Sequence, residues 1–178
     1  SIVARLGVEH NLVIAAPALV LSAPIVLAAI AAIRLTSAGP VIFSQTRVGR
    51  EGAPFRCHKL RTMRHGTPSV PTHEARASEV TSVGRILRRS KIDELPQLWN
   101  VLAGEMSLVG PRPCLPTQGR LIDERRKRGV LALVPGISGL AQVNGIDMSD
   151  PVACAEKDAE YLRTRSLRLD LAILFRTV

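Results

Sequence analysis

The chain has 178 residues, enough for one compact domain with a membrane-inserted piece, and 46% of them are hydrophobic although the net charge is +9. So basic a chain calls for an anionic partner: nucleic acid, an anionic lipid surface or a phosphorylated substrate. With one Trp, one Tyr and three Phe there is little to stack on bases, and no DNA- or RNA-reading motif is present, so nucleic acid is set aside in favour of lipid and phosphate.

The first element is apolar. Residues 12–33 contain no charge, and as a helix they would extend about 33 Å, close to the hydrocarbon thickness of a bilayer. Pro17 and Pro24 interrupt the pattern, and Pro24 lies near its middle beside Ala23 and Ser22. An interior proline removes a backbone donor and clashes with the preceding turn, so a kink or break is expected at Ala23-Pro24. The freed carbonyls could be met by a serine hydroxyl. A kinked crossing and a re-entrant dip both remain open. Arg5 precedes the segment while Arg34, Arg47 and Arg50 follow it, so charge assigns no side, and the re-entrant form is the expectation. A buried core helix would rarely run so long without charge, and a cleaved signal peptide would have a shorter apolar run behind a more basic start.

Residues 41–48 and 54–60 read as two strands joined by the turn Gly49-Arg50-Glu51-Gly52. Residues 62–77 hold Gly, Pro and His without periodicity and read as a surface loop. Val80, Val83, Ile86 and Leu87 then repeat at helical spacing among Arg85, Arg88, Arg89 and Lys91. Such a basic amphipathic helix can lie on anionic lipid, and a solvated charged face is the plain alternative. Leu95, Leu98, Trp99 and Leu102 mark a short helix opening at Pro96, with Leu95 biased away from the α region by the proline after it. Asp93 and Glu94 then stand just ahead of a helix N-terminus, where backbone donors could also hold phosphate. Acidic residues favour that position in any helix, so the pair alone decides nothing.

Gly110-Pro111-Arg112-Pro113 is a stiffened loop presenting one guanidinium. Residues 120–128 read as a solvated mixed-charge helix, 135–139 as a tight turn, 140–143 as a short strand, and 153–175 as helical. Cys57, Cys114 and Cys154 are odd in number and far apart, which fits a reducing cytoplasm and neither a disulfide framework nor a metal spacing. The four histidines show no ligand spacing either.

A carboxylate is ionised at neutral pH, so Asp93 could attack phosphorus without a general base. Its charge must still approach a diphosphate. A divalent cation held by Glu94 and a guanidinium from Arg112 would relieve the repulsion, and magnesium suits carboxylate-plus-phosphate ligation best.

The run Ser90-Lys91-Ile92-Asp93-Glu94-Leu95-Pro96-Gln97-Leu98-Trp99-Asn100-Val101-Leu102, continuing through residues 104–109 to Gly110-Pro111-Arg112-Pro113, resembles the bacterial sugar transferases, the monotopic polyprenyl-phosphate phosphoglycosyl transferases. The likeness extends to Phe43-Ser44-Gln45-Thr46-Arg47-Val48-Gly49, to Lys59-Leu60-Arg61-Thr62-Met63 and to residues 135–145, covering nearly the whole chain in matching order. The resemblance implies an α/β (α+β), mostly helical protein with a small hairpin or sheet and interfacial amphipathic helices. Residues 1–36 would form a membrane-inserted re-entrant helix, and residues 37–178 a catalytic domain on the cytoplasmic face of the inner membrane. It implies a ping-pong reaction in which Asp93 attacks a UDP-sugar and expels UMP, and undecaprenyl phosphate then takes the sugar phosphate from the aspartyl intermediate. Glu94 would hold Mg2+, Arg112 would grip phosphate, and Lys59, Arg61 and Arg88 are further candidates for that grip. An N-acetylated hexosamine is the expected sugar. Three features depart from the family pattern: Ala23-Pro24 stands where a Ser-Pro break is usual, Ile146-Asp147 follows Gly145 where an arginine is usual, and Asn11 replaces an aspartate. A catalytically inert membrane adaptor with a basic face is the alternative reading.

Overall fold

The computed structural model describes residues 2–67 and 77–177; for residues 2–10, Leu12 and Ala77 it describes the backbone alone. Part of the loop expected over residues 62–77 therefore lies outside the described residues. Contacts divide the chain into two compact units, Ser1–Gln45 with Arg56–Leu102, and Thr46–Phe55 with Ala103–Val178.

The first unit begins with a single long helix, α1 (Ile2–Thr36), that contains both Pro17 and Pro24. The helix is continuous through Ala23-Pro24, so the expected break does not divide it in two. A proline withdraws one donor from the ladder, and the Ser22 hydroxyl donates back to the Leu19 carbonyl at 3.1 Å in the turn before it. Residues Val13–Thr36 are long and apolar enough to cross a membrane, and few of their side chains are buried. Val13, Val20, Leu21, Ile25 and Leu27 face outward. Ala29 and Ile33, lower on the helix, join Val41, Leu60 and Leu87 in a core lined by Val26, Ile30, Val83 and Ile92. One helix thus has an outward apolar half and a half packed on protein.

The expected hairpin is present: β1 (Ile42–Val48) pairs with β2 (Pro54–Leu60). In β2 the alternation Phe55 and Cys57 in, Arg56 out, follows the period-two geometry of a strand. The hairpin's open ends belong to the first unit and its tip, residues 46–55, to the second. Helix α2 (Ser82–Arg89) starts at Thr81, whose hydroxyl accepts the Gly84 N–H at 2.9 Å. Val83, Gly84 and Leu87 face inward while Ile86 is 67% exposed, so the apolar face is narrower than the sequence spacing suggests. Helix α3 (Gln97–Leu102) buries Gln97, Leu98, Asn100 and Val101 and turns Trp99 outward.

The second unit holds a parallel pair, β3 (Ser107–Val109) and β4 (Gly136–Ser138), in register Ser107 with Gly136 and Val109 with Ser138. Around it lie α4 (Gly119–Lys127), α5 (Leu140–Val143), α6 (Pro151–Thr164) and α7 (Leu167–Thr177). Residues 140–143, expected as a strand, form a helical turn instead, because four residues are too few to carry a periodicity and Gly139, extended, starts a new element. The core here is Cys114, Leu121, Ala141, Cys154 and Ala155, with Val48, Ile122, Ile146 and Met148 packed against it. Asp150 caps α6 by accepting the Ala153 N–H at 3.1 Å.

Candidate active site

Asp93 and Glu94 sit in a tight turn between α2 and α3. Ser90 ends α2, Lys91 follows in the left-handed region at φ 59°, and Ile92–Glu94 form a single 3-10 turn. A left-handed non-glycine residue is costly and tends to persist where surrounding structure imposes it. Ile92 supplies that anchor by packing on the first core. Leu95, expected outside the α region because a proline follows, is helical at φ −55° and ψ −35°. The turn overrides the local bias: the Leu95 N–H donates to the Ile92 carbonyl at 3.2 Å, and the Leu95 carbonyl accepts from Leu98 at 3.0 Å. Asp93 and Glu94 are each only 7% exposed.

Lys59 comes to this turn from β2. Its Nζ lies 2.8 Å from Glu94 Oε1, both side chains being largely buried. The strand is strapped to α3 by Asn100, which is fully buried: its Nδ2 donates to the Arg56 carbonyl at 2.7 Å, and its Oδ1 accepts the His58 N–H at 3.1 Å. A side-chain amide here substitutes for a neighbouring strand, fixing the register that delivers Lys59 to Glu94. The His58 ring pairs with the Ser44 hydroxyl at 2.8 Å across the hairpin.

The other basic candidates in this unit divide. Arg88 Nε donates to Thr62 Oγ1 at 2.8 Å, and the Thr62 carbonyl also accepts the Thr81 N–H at 3.0 Å, so Thr62 docks α2. Arg61 is 6% exposed, and its guanidinium donates to the Ser37 carbonyl at 3.0 Å, to Ser37 Oγ at 2.8 Å and to the Ala38 carbonyl. It closes the C-terminal end of α1, where carbonyls lack helical partners. Gln97 is 2% exposed, and its Nε2 has no hydrogen-bond partner.

Arg112 belongs to the second unit. Its loop passes close to β4: a Cβ on Gly136 would stand 2.1 Å from the Gly110 nitrogen, so only glycine fits. The Arg112 side chain, half-buried, donates to Gln142 Oε1 at 3.2 Å. Beneath the loop, Arg125 is 3% exposed and pairs with Asp158 at 2.7 Å. The sequence places Arg125 on a solvated face; the structure buries it, because it falls one turn after the core residue Leu121 on the same side of α4. Burial pushes the Asp158 carboxyl up, opposed by the Arg125 guanidinium. Burial likewise raises the Cys114 thiol, and it pushes Cys154 up to about 12.

The structure therefore brings together Asp93, Glu94 and Lys59, and places Arg88 on the neighbouring helix. In the first unit Asn100 carries structure around these candidates, and in the second the Arg125–Asp158 pair lies beneath the Arg112 loop; none of the three was singled out by sequence as a site residue. Asn100 lies inside the quoted motif, whereas nothing in the spacing of Arg125 and Asp158 announces their pairing. Among the described residues no three His, Cys, Asp or Glu side chains gather into a metal cage. A magnesium ion needs no such cage, since one or two carboxylates with substrate phosphate and water complete its octahedron. The adjacent Asp93 and Glu94 fit that donor set.

The family model for the bacterial sugar transferases matches residues 6–178. The chain is 44% identical over 180 residues to the UDP-glucose:undecaprenyl-phosphate glucose-1-phosphate transferase of Caulobacter vibrioides, covering 94% of this chain and 66% of that protein. It is 39% identical over 174 residues to the UDP-N-acetylgalactosamine-undecaprenyl-phosphate N-acetylgalactosaminephosphotransferase of Aeromonas hydrophila, covering 90% of this chain and 40% of that protein. An uncharacterized sugar transferase of Bacillus subtilis is 42% identical over 154 residues, 86% of this chain and 76% of its own length. The chain thus spans less than two thirds of the first two relatives. A match across nearly every residue, joined to a buried Asp-Glu turn held by a lysine, settles the grouping: the chain belongs to the bacterial sugar transferase family.

Proposed function

We propose that the chain is a phosphoglycosyl transferase that moves a sugar 1-phosphate from a UDP-sugar to undecaprenyl phosphate. The observation that carries the reading is the Asp93-Glu94 turn, in which Lys59 engages Glu94 at 2.8 Å beside Asp93. In the first step an Asp93 carboxylate oxygen forms a bond to the β-phosphorus of the donor. The bridging oxygen leaves with UMP, and the sugar phosphate stays on Asp93 as a mixed anhydride. In the second step an oxygen of undecaprenyl phosphate attacks the same phosphorus, the Asp93–phosphorus bond breaks, and the carboxylate is regenerated. No proton transfer is needed to activate either nucleophile, since both are anions.

Glu94 would hold Mg2+, which would neutralise diphosphate charge. Lys59 orients the Glu94 carboxylate, and its positive charge lowers the repulsion that Asp93 meets. Arg112 grips phosphate, and Arg88 is a second candidate for that contact. Arg61, engaged at the end of α1, is set aside for it.

The names of the relatives divide over the donor: glucose for the Caulobacter protein and N-acetylgalactosamine for the Aeromonas protein. UDP-glucose is accordingly the first donor to test, ahead of the N-acetylated hexosamines that the family resemblance implies. The apolar half of α1 enters the inner membrane from the cytoplasmic side; a re-entrant path would require α1, continuous through Pro24 here, to open at that proline on insertion. Support for that path is the central proline and the basic residues at both ends.

Asp93→Asn is the direct test. UMP release from UDP-sugar should fall at least about 10³-fold while membrane insertion is kept. Unchanged turnover would exclude Asp93 as the nucleophile, whereas no UMP release by the wild-type protein from any UDP-sugar would favour the adaptor reading.

A further inference from the structure

The loop bearing Arg112 is fastened residue by residue through bonds that lie within the second unit. The Gly110 N–H donates to the Ser138 carbonyl at 2.8 Å, and the Pro111 carbonyl accepts the Gly136 N–H at 2.9 Å. The next three carbonyls are taken in succession. Arg125 Nη1 donates to the Arg112 carbonyl at 2.9 Å, Arg47 Nη1 to the Pro113 carbonyl at 3.1 Å, and the Val48 N–H to the Cys114 carbonyl at 2.9 Å. Five consecutive residues are thus held through their main chain, and the one at the centre carries the guanidinium.

The Arg125–Asp158 pair stands out among these fastenings. Both groups are almost wholly buried, at 3% and 1% exposure. A buried ion pair is seldom more stable than well-packed apolar residues of the same volume, so its presence points to something an apolar pair could not do. What it does here is visible. Asp158 Oδ2 accepts from Arg125 Nε at 2.9 Å and from Nη2 at 2.7 Å, which locks the plane of the guanidinium and aims Nη1 at the Arg112 carbonyl. A planar fork with fixed donors suits that task, and an ammonium does not.

We propose that Arg125, oriented by Asp158, is a positioning residue for Arg112: it holds the Arg112 main chain so that the side chain meets donor phosphate already in place. The inference rests on the reading that Arg112 grips phosphate. A pre-set guanidinium loses little freedom on binding, and a displacement of about 1 Å at such a group can lower the rate about a hundredfold.

The test compares four proteins in the same detergent by kcat/KM for UMP release and by thermal unfolding. They are Arg125→Lys, the apolar pair Arg125→Met with Asp158→Leu, Arg112→Ala, and Arg112→Ala with Arg125→Lys. Arg125→Lys keeps the charge opposite Asp158 but cannot serve both partners, so kcat/KM should fall about tenfold to a hundredfold at near-unchanged Tm. The apolar pair should fold and show the same loss, whereas a merely structural ion pair would be replaced without effect on turnover. In the Arg112→Ala background, Arg125→Lys should add no more than about a twofold further loss, as expected of residues that act as one. Wild-type kcat/KM in a folded apolar pair, or fully additive losses in the double variant, would overturn the proposal. Should the apolar pair fail to fold, the additivity measurement decides alone. If Arg112→Ala itself turns over like wild type, the phosphate-grip reading fails and takes this one with it. If Arg112→Ala is impaired and the Arg125 variants are not, only the positioning role fails.

Discussion

The Lys59–Glu94 contact at 2.8 Å shows how single residues shape this site: an ammonium from a strand lies against one of two adjacent carboxylates, and the strand is held in place by one asparagine. On the proposed mechanism, the chemistry of Asp93 would depend on side chains that never touch a reacting atom. A second residue-scale consequence concerns Cys154, whose buried thiol is pushed from 9.0 up to about 12. Above about pH 9 the unfolded chain loses this proton while the folded protein keeps it. The folded state then binds more protons, so stability is full below about pH 9 and declines as pH rises from 9 towards 12. Thermal unfolding at pH 8 and pH 10.5 should show a falling Tm, and Cys154→Ala should make that decline shallower; an equal slope in both proteins would refute the assignment.

Among the elements, α2 illustrates a close approach that fixes where a helix sits. A Cβ on Gly84 would stand 2.0 Å from the Thr62 carbonyl oxygen, which also accepts the Thr81 N–H. Alanine improves helix propensity by about 1 kcal/mol, but forcing a methyl into packed backbone costs about 1–3 kcal/mol or more. Gly84→Ala should thus lower stability by about 1–2 kcal/mol in denaturant unfolding, against its propensity, and should weaken the Arg88–Thr62 bond that α2 carries. Elements with strong periodicity or turn chemistry were legible in the sequence: the apolar helix, the hairpin around Gly49 and Gly52, the helical repeat of Val83 and Leu87, and the helical pattern over 153–175, which the structure divides into α6 and α7. Those defined by distant partners were not. Residues 140–143 are too few to show a period, Leu95 is helical because the turn before it continues, and Arg125 is buried because Asp158, far along the chain, meets it. Among the candidate residues, Asp93, Glu94 and Arg112 stand out by chemical type, while Asn100 and Arg125, each within its own unit, act through main-chain contacts that no sequence spacing displays.

For the whole molecule, the membrane account separates insertion from surface attraction. A net charge of +9 alone would bind an anionic surface electrostatically, and 1 M salt shortens the screening length to about 3 Å. Insertion of the exposed apolar half of α1 predicts instead that the protein stays with membranes through a 1 M salt wash and leaves only with detergent. Release by salt would show that α1 does not enter the bilayer. The central claim, covalent capture of the donor's phosphorus by Asp93, is reached most directly by intact mass spectrometry of purified protein incubated with Mg2+ and UDP-sugar in the absence of lipid acceptor. The account predicts a mass increase equal to one sugar phosphate, absent from Asp93→Asn and discharged on adding undecaprenyl phosphate. Product formation with no such adduct at any time would contradict it.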